Sequence, residues 1–138
     1  MPSFVYNQGA FTLTNGAADN FNWIMAAIKA RLIAATAVPD KNDSNLTAAY
    51  YAPIGSDQLL PGRGQATSPA NYRVNFKATA VTFPLVPPGD TVGWCIIFQD
   101  LGGGTGRPLC AIAVAPTPTD GTDITIQFDP LAVFYLQQ

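Results

Sequence analysis

Short alternating runs of apolar and polar residues, separated by clusters of proline and glycine, fill the second half of the chain and limit what it can fold into. Residues 72–80 alternate, and a dense apolar run over 92–100 is followed by a glycine-rich turn and a second apolar run over 107–115. Alternation with a period of two is typical of β-strands, and proline and glycine mark turns. The pattern predicts strands across 72–136, with a β-hairpin over 92–115.

Two more short runs carry this pattern to the end of the chain. Residues 123–128 alternate again, and residues 131–136 predict a last short strand. Several short strands with turn signals between them are typical of a β-sandwich or barrel. Because 138 residues suit one domain, we expect a mainly β protein with a single antiparallel domain over 1–138.

The first half of the chain gives less uniform signals. Ser3 is a good N-cap and the glycine after residue 15 is a good stop, which together predict a short helix over 3–15. Residues 22–37 have a helix-forming composition, yet apolar and basic residues alternate from 28 to 32, as in a strand with one solvent-exposed face. These residues alone leave helix and strand open.

A long stretch over 39–71 has the composition of a loop. It holds four prolines, three glycines and clusters of Asn, Asp and Ser. A loop of this length inside a compact domain is normally functional or docked against something. We therefore interpret residues 39–71 as a docking loop.

Missing residue types exclude several classes of active site. The chain has no histidine and no glutamate, so nine aspartates are its only carboxylate side chains. This composition excludes Ser-His-Asp triads, Cys-His dyads and imidazole metal ligands, and two cysteines cannot build a zinc site of four thiolates. We expect no enzyme, no catalytic residue, no metal and no cofactor.

Charge and hydropathy also argue against two kinds of partner. A net charge of −2 offers no basic surface for a nucleic acid. No apolar run approaches the length of about 18 residues that spans a membrane, and the first residues do not form a secretory signal. We expect a soluble protein, made in a cytoplasm, that binds neither nucleic acid nor membrane.

Two local motifs imitate ligand sites. The glycine run over 101–106 lacks the Gly-Lys-Ser/Thr of a phosphate loop and predicts a hairpin turn instead. Residues 40–45 hold spaced oxygens, but the glycine and the final acid of a calcium loop are absent, so Asx turns explain them better.

The two cysteines fall on the two arms of the predicted hairpin. Cys95 and Cys110 have no basic neighbour in the sequence, and a chain of this size folds without disulfides. We predict that both are buried free thiols. Trp94, Phe98 and Phe128 are further candidates for the core.

Both ends of the chain are apolar and carry no charge. No charged side chain precedes Asp19, and none follows Asp129. Free termini are usually polar and frayed. We therefore predict that residues 4–11 and 131–136 are held by packing.

Seven segments occur in a characteristic order along the chain. They are SFVYN at 3–7, IKARLI at 28–33, VPDK at 38–41 with Asp43, VTF at 81–83, GWCIIFQD at 93–100, LCAI at 109–112 and ITIQF at 124–128. Together they resemble a widespread family of small tailed-bacteriophage virion proteins. The resemblance covers most of the chain except residues 45–70, and it favours a strand over 28–36. Phe83 and Phe128 stand where the family usually has tryptophan.

The resemblance implies a non-enzymatic structural protein of the virion. Members of that family are accessory capsid proteins of the decoration, cement or head-fibre type. For this chain it implies a place on the outer capsid surface after assembly in the bacterial cytoplasm, with the major capsid protein and copies of itself, as a dimer or trimer, for partners. A tail, neck or fibre protein of the same virion is the alternative, and a carbohydrate-binding module is a distant third.

The apolar residues of the docking loop and of the two termini are the predicted contact surface. Aromatic anchors surrounded by a polar rim are the common pattern at interfaces, and Arg63 would stand at the rim. The full set is Phe4, Tyr6, Tyr50, Tyr51, Ile54, Leu59, Leu60, Arg63, Phe134 and Tyr135.

Overall fold

The fold is that of a computed structural model, which describes residues 3–7, 23, 27–68, 73–103, 105–129 and 132–137. These residues form ten strands and one short 3-10 helix at Ala49–Tyr51. The strands are β1 (Phe4–Val5), β2 (Ile28–Ala34), β3 (Gln58–Leu59), β4 (Gly64–Ser68), β5 (Arg73–Lys77), β6 (Val81–Phe83), β7 (Thr91–Gly102), β8 (Thr105–Pro118), β9 (Ile124–Ile126) and β10 (Phe134–Gln137).

The described strands form three antiparallel sheets and no closed barrel. A five-stranded sheet has the order β1-β8-β7-β2-β3, a three-stranded sheet the order β10-β5-β4, and a two-stranded sheet pairs β6 with β9. Strands β7 and β8 are the long central pair, and they form the hairpin that the sequence predicts, closing at the pair Gly102 and Thr105. The mainly β, antiparallel expectation is therefore confirmed.

Both faces of the central hairpin are buried, which explains the density of its apolar run. Successive side chains in a strand point to opposite faces. Cys95 and Ile97 join the larger core cluster, to which all three sheets contribute. Trp94 and Ile96 join a second, smaller cluster on the other face. The loop residues that follow β2 cover this second face, with Ala37 and Tyr51 buried there.

The segment that its residues alone left open between helix and strand forms strand β2. It is a strand over Ile28–Ala34, as predicted for 28–36, and it pairs with β7 on one side and β3 on the other. Ile28, Ala30 and Leu32 point into the larger core. Cross-strand pairing on both sides overrides the helical composition of this segment, because propensity is a weak prior against tertiary context.

The predicted N-terminal helix over 3–15 is wrong in the part of that range which the structure describes. Phe4 and Val5 form β1 and pair with Ala111 and Cys110 of β8. The Ser3 hydroxyl accepts a hydrogen bond from the Ala113 backbone N–H at 2.9 Å instead of capping a helix. Residues 8–15 lie outside the described residues.

The stretch over 39–71 is more structured than a loop. It contains the 3-10 helix, β3 and β4, and its backbone is bonded to β2 at two places. The Ile54 N–H donates to the Leu32 carbonyl at 2.8 Å, and the Leu60 N–H donates to the Ile28 carbonyl at 2.9 Å. Much of this segment is therefore docked on its own chain. Among the described residues, no helix is long and apolar enough to cross a membrane.

Candidate functional site

The structure divides the predicted contact residues into three groups by exposure. Five are buried in the protein's own core: Tyr6, Tyr51, Ile54, Leu60 and Phe134. Phe4, Tyr50 and Arg63 are half-buried. Only Leu59 and Tyr135 are exposed, with 60% and 45% of their surface accessible. Most of the surface that these residues could offer a partner is thus already used inside the subunit.

Three tyrosines and one carboxylate hold the 40–51 segment over the second face of the large sheet. The Tyr6 and Tyr51 hydroxyls lie 2.7 Å apart, and the Tyr51 hydroxyl donates to Asp43 Oδ2 at 2.7 Å. Tyr50 donates a short hydrogen bond to the same oxygen. The cluster joins the chain after β1 to the loop through buried polar contacts.

The protonation of these tyrosines suits a structural role. Burial raises the pKa of Tyr6 and of Tyr51 far above the usual value. The hydrogen bond that Tyr50 donates to Asp43 is the main cause that raises the pKa of Tyr50 to about 12. Phenols held neutral at physiological pH donate hydrogen bonds and do not act as bases.

Charged side chains on the same face of β2 are paired with one another. Arg31 donates two hydrogen bonds to Asp57, both at 2.8 Å, and its guanidinium lies 5.1 Å from the centre of the Phe98 ring. Lys29 Nζ lies 2.8 Å from Asp100, and this bond raises the pKa of Lys29 and lowers that of Asp100. These pairs fasten the loop and the hairpin to β2.

An apolar groove of about 490 Å³ lies where the two ends of the described chain meet. It brings together three of the predicted contact residues: Phe4, and the adjacent Phe134 and Tyr135, which follow it by more than a hundred positions. Asp129 is the carboxylate among the described residues that line it. Residues 3–5 and 132–135 thus line the same groove, while residues 8–11 and 131 lie outside the described residues.

The two cysteines are free and buried, as predicted. Cys95 lies opposite Ile112, and Cys110 lies opposite Ile97, on neighbouring strands. Burial raises the pKa of the Cys95 thiol to about 12 and also raises that of Cys110. Neither thiol is a thiolate at neutral pH, so neither is set up as a nucleophile.

The two motifs that imitate ligand sites have local structural roles. Gly102 and Gly103 adopt positive φ in the hairpin turn, where glycine is favoured. Asp40 Oδ1 accepts from the Asn42 N–H at 2.9 Å, and Asn45 Oδ1 accepts from the Thr47 N–H at 3.1 Å, which are Asx-turn bonds. The described residues contain no group of three or more metal-ligating side chains.

Sequence reasoning missed the exposed apolar side chains of Val38, Leu101 and Leu85, of which Leu85 is the most exposed. Leu85 lies in the turn after β6, has a positive φ of 45°, and is 72% exposed. The preceding Pro84 is a signal for such a turn, because proline often takes the second position and the third then favours glycine or asparagine. A leucine at that third position is unusual.

No known protein family, characterised protein or solved structure matches this chain in the three comparisons. The comparisons therefore assign neither a family nor a fold relative. Any function has to be argued from the chain's own residues and from the likeness of its motifs.

Proposed function

We propose that the protein is a non-enzymatic structural component of a tailed-phage virion, and that it is a capsid decoration or cement protein. In this role it binds the outer shell and stabilises it. One observation carries the proposal. The segments that resemble the phage family, at 3–7, 28–33, 93–100, 109–112 and 124–128, supply β1, β2, parts of both hairpin strands and β9. Motifs that specify a family of structural proteins are expected in the strands of its core.

The state of the polar groups supports a binding role over catalysis. Lys29, Arg31, Asp57 and Asp100 are engaged in ion pairs within the chain. The tyrosines with altered pKa values are held in the neutral form, as are both thiols. Enzyme active sites usually contain a group whose pKa is shifted towards its working pH, whereas the pKa values of these tyrosines and thiols move away from neutrality.

The proposed mode of action is interface burial repeated over many copies. Each copy adds a modest contact to the shell, and opening the shell must break many of them together, so the combined effect is large. Dimers or trimers at symmetry positions of the capsid fit this scheme. The partners would be the major capsid protein and other copies of this chain, and the antiparallel sheets would pack as a β-sandwich.

The test is the number of copies in a purified virion, measured by quantitative mass spectrometry against the major capsid protein. A decoration protein is expected at on the order of hundreds of copies, because capsid symmetry repeats its site. A number of about a dozen or fewer would assign the protein to the neck or tail instead. Absence from the particle would overturn the virion proposal altogether.

A further inference from the structure

Leu85 has an unusual backbone conformation. Among the described residues, φ is positive at six glycines and at one other residue, Leu85. Glycine adopts this region without strain, whereas a bulky side chain there is a genuine outlier. Such outliers persist only where the surroundings impose them, and they concentrate at functional positions.

The surroundings of Leu85 impose its conformation through three hydrogen bonds. The Leu85 N–H donates to Asp123 Oδ1 at 2.8 Å, and the Val86 N–H donates to the Thr122 carbonyl at 3.0 Å. The Gly121 N–H donates back to the Val86 carbonyl at 2.9 Å, and the Val86 side chain is fully buried in the larger core. The turn is therefore clamped to the turn before β9.

The leucine side chain gains almost nothing from this arrangement in the free protein. It is 72% exposed, more than any other large apolar side chain that the structure describes. Two neighbouring turns use glycine at positive φ, at Gly89 and Gly121. Neither the core nor the backbone conformation requires a leucine at position 85.

Exposed carboxylates lie in the two loops that these hydrogen bonds join. Asp90, Asp120 and Asp123 lie in the loops at this end of the molecule, and all three are exposed. The Thr119 N–H donates to the Asp90 carbonyl at 2.9 Å, which holds these loops together. No lysine or arginine lies between Lys77 and Arg107 or after Arg107 in the sequence. The two loops therefore present an exposed leucine and carry only negative charge, and the three carboxylates are called the acidic rim.

The negative charge of this rim favours a partner with basic residues over a second copy of the chain. The apolar groove between the chain ends is a potential receptor for a leucine on a second copy, but no lysine or arginine is among the described residues that line it. A pocket without basic residues offers the acidic rim no complementary charge. A different protein, with lysine or arginine around an apolar pocket, is complementary.

We propose that the Leu85 turn is a preorganised binding site, in which the exposed leucine side chain inserts into an apolar pocket of a partner protein. Lysine or arginine residues of the partner would surround that pocket. A side chain already fixed on a clamped turn loses little entropy when it binds. The identity of the partner rests on the proposed function, which makes it the capsid shell.

The test separates stability from binding in one variant. Leu85→Asn keeps a residue that tolerates positive φ but removes the apolar side chain. We expect its urea midpoint to equal or exceed that of the wild type, and its affinity for purified shells of the same phage lacking this protein to fall about tenfold or more. The matched control is Leu101→Asn, because Leu101 is also exposed but has an ordinary φ. It should bind like the wild type.

A second variant tests the rim. Asp90→Asn should weaken binding and make the remaining affinity less sensitive to added salt. If the wild type binds shells and Leu85→Asn binds them equally well, the docking inference is overturned while the decoration role stands. If the wild type does not bind shells, both are overturned. A lower urea midpoint for Leu85→Asn would also overturn the inference, because the leucine would then serve the fold.

Discussion

Gly93 is the residue at which the central strands leave least room for a side chain. The registers of β7 with β2 and with β8 both shift here, as at a β-bulge. A Cβ at this position would lie 2.3 Å from Ala35 Cα and 2.8 Å from Ala35 Cβ. Because the contact includes backbone atoms of Ala35, relieving it would require the backbone to shift.

We therefore expect Gly93→Ala to lower the free energy of unfolding by about 1–3 kcal/mol, measured by urea denaturation. Gly64→Ala is the control, because nothing lies within 4 Å of a Cβ there and its φ is ordinary. Its effect should stay below about 1 kcal/mol. Equal losses in the two variants would contradict this account of Gly93.

The buried hydroxyl pair of Tyr6 and Tyr51 is the second residue-scale feature that can be measured. Tyr51→Phe removes the partner of the Tyr6 hydroxyl, which is fully buried. Leaving such a group without a hydrogen bond costs about 1–3 kcal/mol. We expect that loss in the single variant, and a double variant with Tyr6→Phe that is less destabilised than the sum of the two singles. Simple additivity would show that the hydroxyls do not interact.

At the scale of elements, β3 shows how the 39–71 segment is divided between core and surface. Leu60, just after the strand, is 1% exposed, whereas Leu59 within it is 60% exposed. Adjacent residues of an extended chain point to opposite sides, so one leucine serves the core and the other faces outward.

These neighbours provide a matched pair of variants. We expect Leu60→Ala to cost about 2–5 kcal/mol, as for other buried leucines, and Leu59→Ala to change stability by less than about 0.5 kcal/mol. Thermal or urea unfolding of both proteins checks this. If Leu59→Ala lowers particle occupancy without loss of stability, this edge belongs to the contact surface as well. A stable Leu60→Ala protein would mean that β3 is not docked on β2.

For the whole molecule, the shifted pKa values predict a loss of stability in alkali. The folded state raises the pKa of Tyr50 from 10.0 to about 12 and that of Cys95 from 9.0 to about 12. Above the unfolded pKa, the unfolded chain releases protons that the folded chain retains, so the stabilisation is complete below about pH 9 and falls as the pH rises. Tyr6, Tyr51 and Cys110 shift in the same direction.

The urea midpoint should therefore decline steadily from pH 9 upwards. Tyr50→Phe removes one of the groups responsible, so its decline above pH 10 should be shallower than that of the wild type. A midpoint that stays constant up to pH 11 would mean that these groups are not protected in the folded protein.

Local features could be predicted from the residues alone: the β class, the central hairpin and the burial of Trp94 and Phe98. Alternation and turn residues act over a few neighbours, so they can be read directly from the chain. The free thiols were also predictable, from composition and hairpin position.

Which apolar residues are buried and which stay exposed depended on the packing of the whole chain. Tyr51, Ile54 and Leu60 have interface-like composition, but hydrogen bonds to β2 draw their segment into the core. The N-terminal strand escaped prediction because Phe4 and Val5 are too few to show a period, and their partners in β8 lie more than a hundred residues away. Strand pairing at such a distance along the sequence depends on how the whole chain packs, and local sequence patterns do not indicate it.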